Sequence, residues 1–114
     1  MTHDFDLTRL VQIQEVMGVE MSELIGGMLD SIGAALEQTE AAIGSGDLES
    51  VARAAHACRN DALMLGATQL LAALEALEQA ARSGHRGDAD QALVSLRTIW
   101  PATRTQLTNI ALDS

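Results

Sequence analysis

Apolar positions recur along this chain at helical spacing. From Leu48 to about Leu65, a count of about 100° per residue puts Leu48, Val51, Ala55, Cys58, Ala62 and Leu65 on one stripe. Asp47 is placed to cap this helix, and Gly66 to end it in a left-handed conformation. His56 falls roughly 125° from the centre of the stripe by the same count. It is carried by the helix yet faces water, with the small residues Ala52 and Ala57 beside it.

The same pattern predicts the other elements. Phe5-Asp6-Leu7 opens a short helix, with Asp4 or Asp6 as N-cap, Leu7, Leu10, Val11 and Met17 on one face, and Gly18 at its end. A longer helix is expected from about Val19 or Ser22 to Ile43, with Leu24, Met28, Leu29, Ile32, Leu36, Thr39 and Ile43 at helical spacing. Gly26, Gly27 and Gly33 lie inside it, each costing about 1 kcal/mol relative to Ala. They are either tolerated by tertiary packing or leave room for something to approach that surface.

Gly44-Ser45-Gly46-Asp47 reads as a stop followed by a start. A fourth helix is expected from about Thr68 to Arg82, with Leu70, Leu71, Leu74, Leu77 and Ala81 as its apolar face, followed by a polar loop from Ser83 to Asp88. A fifth starts near Asp88 or Ala89, and Pro101 is expected to kink or end it, leaving Ala102 to Leu112 as a separate segment. Turns of a few residues make successive helices antiparallel neighbours. The expected fold is all-α, an up-and-down antiparallel four-helix bundle with a short N-terminal helix, as one domain over residues 1–114.

Composition agrees. The apolar set is nearly all Ala, Leu, Ile, Val and Met, with one Phe, one Trp and no Tyr, which favours helix over sheet. At 114 residues the chain is long enough for one packed core. A formal charge of −9 argues against nucleic-acid partners and against docking on an anionic membrane. No apolar run approaches the roughly 20 residues that cross a bilayer, and no secretory signal opens the chain, so a cytoplasmic location is expected. The single cysteine, Cys58, sits on the apolar stripe and reads as a small buried hydrophobe.

Chemistry-bearing candidates are few. The chain has no nucleophile elbow, and Gly44-Ser45-Gly46 lacks the lysine of a phosphate-cradling loop. His3 and His85 pair with nothing by spacing, so no metal site is expected. Glu75 and Glu78 read as solvated helix faces.

His56 stands apart through its surroundings. Ala55-His56-Ala57-Cys58-Arg59, then Leu65-Gly66-Ala67, then Leu70 and Leu77-Glu78 resemble the histidine phosphotransfer (HPt) domain family. That family reads A-H-x-L-K-G-S-x-x-x-L-G-A, followed by a helix ending in a Leu-Glu pair. The interval from His56 to Gly66 matches without a gap, and Phe5-Asp6-Leu7 and Gly46-Asp47-Leu48 sit where the family has its opening F-D and its G-D turn. The resemblance spans nearly the whole chain. It departs where Cys58 replaces Leu, Arg59 replaces Lys, Asn60 replaces Gly and Asp61 replaces Ser.

The resemblance implies a phosphocarrier, not an enzyme with its own machinery. His56 is then the phosphoacceptor, taking a phosphoryl group from a receiver aspartate and passing it to another receiver. Arg59 offers a bidentate cation to the phosphoryl group. Asn60, one turn along on the same face, either narrows access or orients the imidazole; Asp61 points to the other flank. The chain then needs no cofactor, because Mg²⁺ belongs to the receiver. Expected partners are response-regulator receiver domains and a hybrid histidine kinase, met by a monomer, and Met1 with the capped first helix suggests a standalone protein. Docking is expected through Leu63, Ala52 and the second-helix residues Met28 and Ile32, with Glu49 and Arg53 as rim charges. The competing readings are a docking module of the same fold in which Asn60 blocks transfer, and a plain bundle whose faces serve oligomerisation. A sensor-kinase dimerisation domain is disfavoured, since no H-E-x-x-x-P pattern surrounds His56.

Overall fold

The structure, a computed structural model, describes residues 7–112. All its regular elements are helical: α1 (Leu7–Met17), α2 (Met21–Ser45), α3 (Leu48–Leu65), α4 (Thr68–Arg82) and α5 (Arg86–Leu112). The expected openings at Phe5 and Asp6, the caps at Asp4 or Asp6, and His3 lie outside the described residues.

Local chemistry sets the helix ends. Asp47 accepts a hydrogen bond from the Ser50 amide at 3.1 Å, satisfying one of the orphan donors of the first turn of α3. Gly46 and Gly66 take left-handed conformations, φ 78° and 68°, in which their amides reach back to close α2 and α3. An L side chain at either position would be strained.

Two residues separate α2 from α3 and two separate α3 from α4, so consecutive helices reverse direction and pack side by side. Helix α3 packs on α2 and α4, α4 on α5, and α5 returns to α2, closing a ring of four; α1 lies against α2 and α3. The 27 residues of α5 extend about 40 Å at 1.5 Å each, matching the 41 Å long axis of the molecule.

The core is aliphatic. Ile25, Ile32, Val51, Leu65, Leu70, Leu74, Leu77, Leu96 and Leu107 are sealed from solvent, and each such Leu or Ile stabilises the fold by about 1.5–3 kcal/mol. Cys58 is buried on the apolar stripe, and burial pushes its thiol up to about 12, so it is inert packing.

Two details differ from the sequence expectation. Helix α5 begins at Arg86, not Asp88, and runs unbroken through Pro101. Pro101 removes one amide donor, but Leu96 and Leu107, three turns apart on one face, are both buried, and that packing holds the two halves in one helix.

Candidate functional site

Midway along α3, His56 projects from the face opposite the core stripe with its side chain 62% exposed. Ala55 beneath it is buried and pins the helix against the bundle. The neighbouring α4 presents Glu78, one of the few charged residues that the described fold buries, with its side chain only 8% exposed.

Glu78 gathers the site. Its Oε2 lies 3.0 Å from His56 Nδ1, and Arg82 donates to the same oxygen from Nε at 2.9 Å. Its Oε1 accepts from Arg59 Nη1 at 2.8 Å. Burial pushes the Glu78 carboxyl up, but hydrogen bonds from Arg59, Arg82 and His56 outweigh it, and the group is held below the usual carboxylate range. In turn, the Glu78 hydrogen bond raises the Arg59 guanidinium above its ordinary value.

An ionised carboxylate only accepts, so the bond to Glu78 requires the proton on Nδ1. The neutral imidazole then carries its lone pair on Nε2, which has no partner among the described residues and sits on a largely exposed ring. This arrangement orients a nucleophile and leaves its reactive atom open. Arg59 Nε is buried with no hydrogen-bond partner among the described residues, so Arg59 is tied down by only one arm of its fork.

The residues singled out from the sequence are divided by the fold. Arg59 and the exposed Asn60 flank His56 as expected, and Leu63, 49% exposed, continues that face one turn on. Arg53 and Glu49 are exposed and 4.0 Å apart. Gly66 closes α3. Asp61 does point to the other flank, where it lines a shallow depression with Met17, Met28 and Met64.

Met28, Ile32 and Ala52 are corrections. All three are buried in the core, Met28 reaching the surface only as a lining of the shallow depression beside Asp61. Spacing placed Met28 and Ile32 on the one apolar face of α2, and that face is turned inward.

Glu78 is the residue that reading helix by helix missed. Its signal was present: Glu78 lies four residues after Leu74 and three before Ala81, inside the apolar stripe of α4. A charged residue on a buried stripe needs a partner. Arg82, four residues on, was likewise overlooked as part of the site. Glu75 is exposed, as expected.

The sequence matches the Hpt domain family over residues 23–111. The chain belongs to the Hpt domain family. It is accordingly a histidine phosphotransfer protein of the phosphorelay type. No curated protein matches it. Among solved structures it is similar to the crystal structure of histidine-containing phosphotransfer protein B (HptB) from Pseudomonas aeruginosa PAO1. The TM-score is 0.90 at 22% identity, covering 100% of this chain and 99% of that one, a likeness of fold. Among the described residues no helix is long and apolar enough to cross a membrane, and no group of His, Cys, Asp and Glu side chains is arranged to hold a metal.

Proposed function

We propose that His56 is the phosphoacceptor of this Hpt domain and that Nε2 is the atom phosphorylated. The ring of α2 to α5 serves as an up-and-down antiparallel four-helix bundle, with α1 beside it, that holds His56 on an outer face. A receiver bearing an aspartyl phosphate docks there, and Nε2 attacks phosphorus in line. The Nε2–P bond forms as the P–O bond breaks, and the aspartate carboxylate leaves with the electron pair. No proton need move, because Nδ1 already carries one.

Attack turns a neutral ring into a phosphorylated imidazolium. Glu78 sits where that positive charge develops and stabilises it through the Nδ1–H bond. Arg59 offsets negative charge on the transferred group, and Arg82 keeps Glu78 compensated when Arg59 turns outward. Transfer of this kind rests on positioning and charge stabilisation. Mg²⁺ and the catalytic side chains are supplied by the receiver, so the bundle is a phosphocarrier with no cofactor of its own.

The docking face comprises Leu63 and Asn60 beside His56, with Arg53 and Glu49 at its rim. A monomer acting in the cytoplasm, meeting receiver domains and a hybrid histidine kinase, fits the acidic surface and the small transient contact this face offers.

The observation that carries this reading is the 3.0 Å contact between His56 Nδ1 and a buried carboxylate. Incubation with a phosphorylated receiver tests it. Wild type is expected to take up an acid-labile, alkali-stable label that His56→Gln does not. Absence of label on wild type would favour the docking-module reading instead, and equal label on the variant would show that His56 is not the phosphoacceptor.

A further inference from the structure

On the seam opposite His56, between α2 and α5, the surface opens into a groove of about 610 Å³. On the α2 side, Gly26 and Gly33 are seven residues apart, and a Cβ added at Gly26 would meet nothing within 4 Å. Together they lower that wall by two side chains. Leu29, Leu36, Leu93 and Leu96 form an apolar floor, and half-buried Trp100 stands 3.9 Å from the Cβ position of Gly33.

The two walls carry opposite charge. Asp30 and Glu37 line the α2 side at a seven-residue interval, and Arg97 and Arg104 line the α5 side at the same interval. Glu40 engages Arg97 at 2.8 Å, while Arg104 has no ion-pair partner among the described residues. From Gly26 to Glu40 the groove follows about four helical turns, roughly 21 Å at 1.5 Å per residue. An open trough this long fits a helix better than a compact small molecule.

We propose that this groove seats one amphipathic helix of a partner protein, with basic residues on the flank facing α2 and acidic residues on the flank facing α5. A second copy of this chain fits poorly. A twofold seating of α5 in the groove of another copy opposes the Arg97–Arg104 rows, and seating α2 opposes the Asp30–Glu37 rows. The surface is separate from the His56 face and does not depend on what His56 does.

Trp100 is the chain's only tryptophan, so its emission reports occupancy directly. The probes are two synthetic helices of about 18 residues, roughly five turns, sharing a Leu/Ala ridge. One carries Lys on one flank and Glu on the other; the second carries Glu on both. The mixed peptide is expected to blue-shift Trp100 emission saturably and to bind wild type about tenfold more tightly than the all-Glu peptide. In the double variant Asp30→Lys, Glu37→Lys, both at exposed positions, that order reverses. Bound peptide leaves labelling of His56 by a phosphorylated receiver unchanged. The proposal is overturned if neither peptide shifts Trp100, if the preference is the same in both proteins, or if peptide competes with labelling. It also fails if Trp100 emission changes with protein concentration alone while a dimer sediments.

Discussion

His56 Nδ1 lies 3.0 Å from Glu78 Oε2, joining a ring that is mostly exposed to a carboxylate that is almost wholly buried. The pair fixes one tautomer. Replacing Glu78 by Gln keeps an oxygen that can accept from Nδ1–H but removes the charge, whereas Glu78→Ala removes both. Labelling of His56 by a phosphorylated receiver is expected to slow about tenfold in Glu78→Gln and about a hundredfold in Glu78→Ala, the range over which orienting partners act. Nitrogen NMR of the labelled wild type is expected to place phosphorus on Nε2. Phosphorus on Nδ1 would refute the assignment.

Arg59 and Arg82 share Glu78 but differ in reach. Arg59→Ala is expected to slow transfer about tenfold, since a charge-assisted hydrogen bond contributes about 1.5–3 kcal/mol. Arg82→Ala acts only through Glu78, and its effect is expected to be several-fold smaller. Equal losses in stopped-flow measurements would show that Arg59 has no special place beside the phosphoryl group.

Asn60 stands one turn from His56 on the exposed face, where the family pattern has glycine. Asn60→Gly is expected to raise the transfer rate by widening access, and to lower the melting temperature slightly, since Gly is a poorer helix former by a few tenths of a kcal/mol. A transfer rate that does not move would show that Asn60 does not restrict the approach.

The depressed Glu78 carboxyl has a consequence for folding. Its folded value lies below its unfolded one, so its stabilisation is fully present above the ordinary carboxylate pKa of about 4.3 and is lost as pH falls through the lower, folded value. Urea unfolding between about pH 3 and 6 is expected to show wild type losing stability more steeply than Glu78→Gln on the acid side. Parallel curves would mean that Glu78 does not titrate as the geometry requires.

Much of this was legible in the chain. The limits of α3 and α4 follow from Asp47, Gly66 and the leucine spacing, because caps and left-handed glycines are local chemistry. Pro101 misled because its local penalty was outweighed by burial on both sides of it, which only the packed bundle reveals. Ile32, Met28 and Ala52 read as docking residues in the sequence because helical spacing gives the angle between residues on one helix but not the direction in which that helix faces its neighbours. Glu78 was obscured for a related reason: two of its three partners are 19 and 22 residues earlier in the chain, on a different helix. The position of His56 came from its motif, and its partner came from the fold.

Glu78 with its two arginines leaves one unit of positive charge next to His56 on a molecule whose formal charge is −9. The two act over different distances. A receiver of net negative charge would meet a repulsive field first and an attractive spot only on close approach, within a Debye length of about 8 Å at physiological ionic strength. Added salt weakens the distant repulsion more than the close contact. With such a partner, encounter is expected to quicken with salt over the range where the far field dominates, and ionic strength would then help set how often this carrier is loaded.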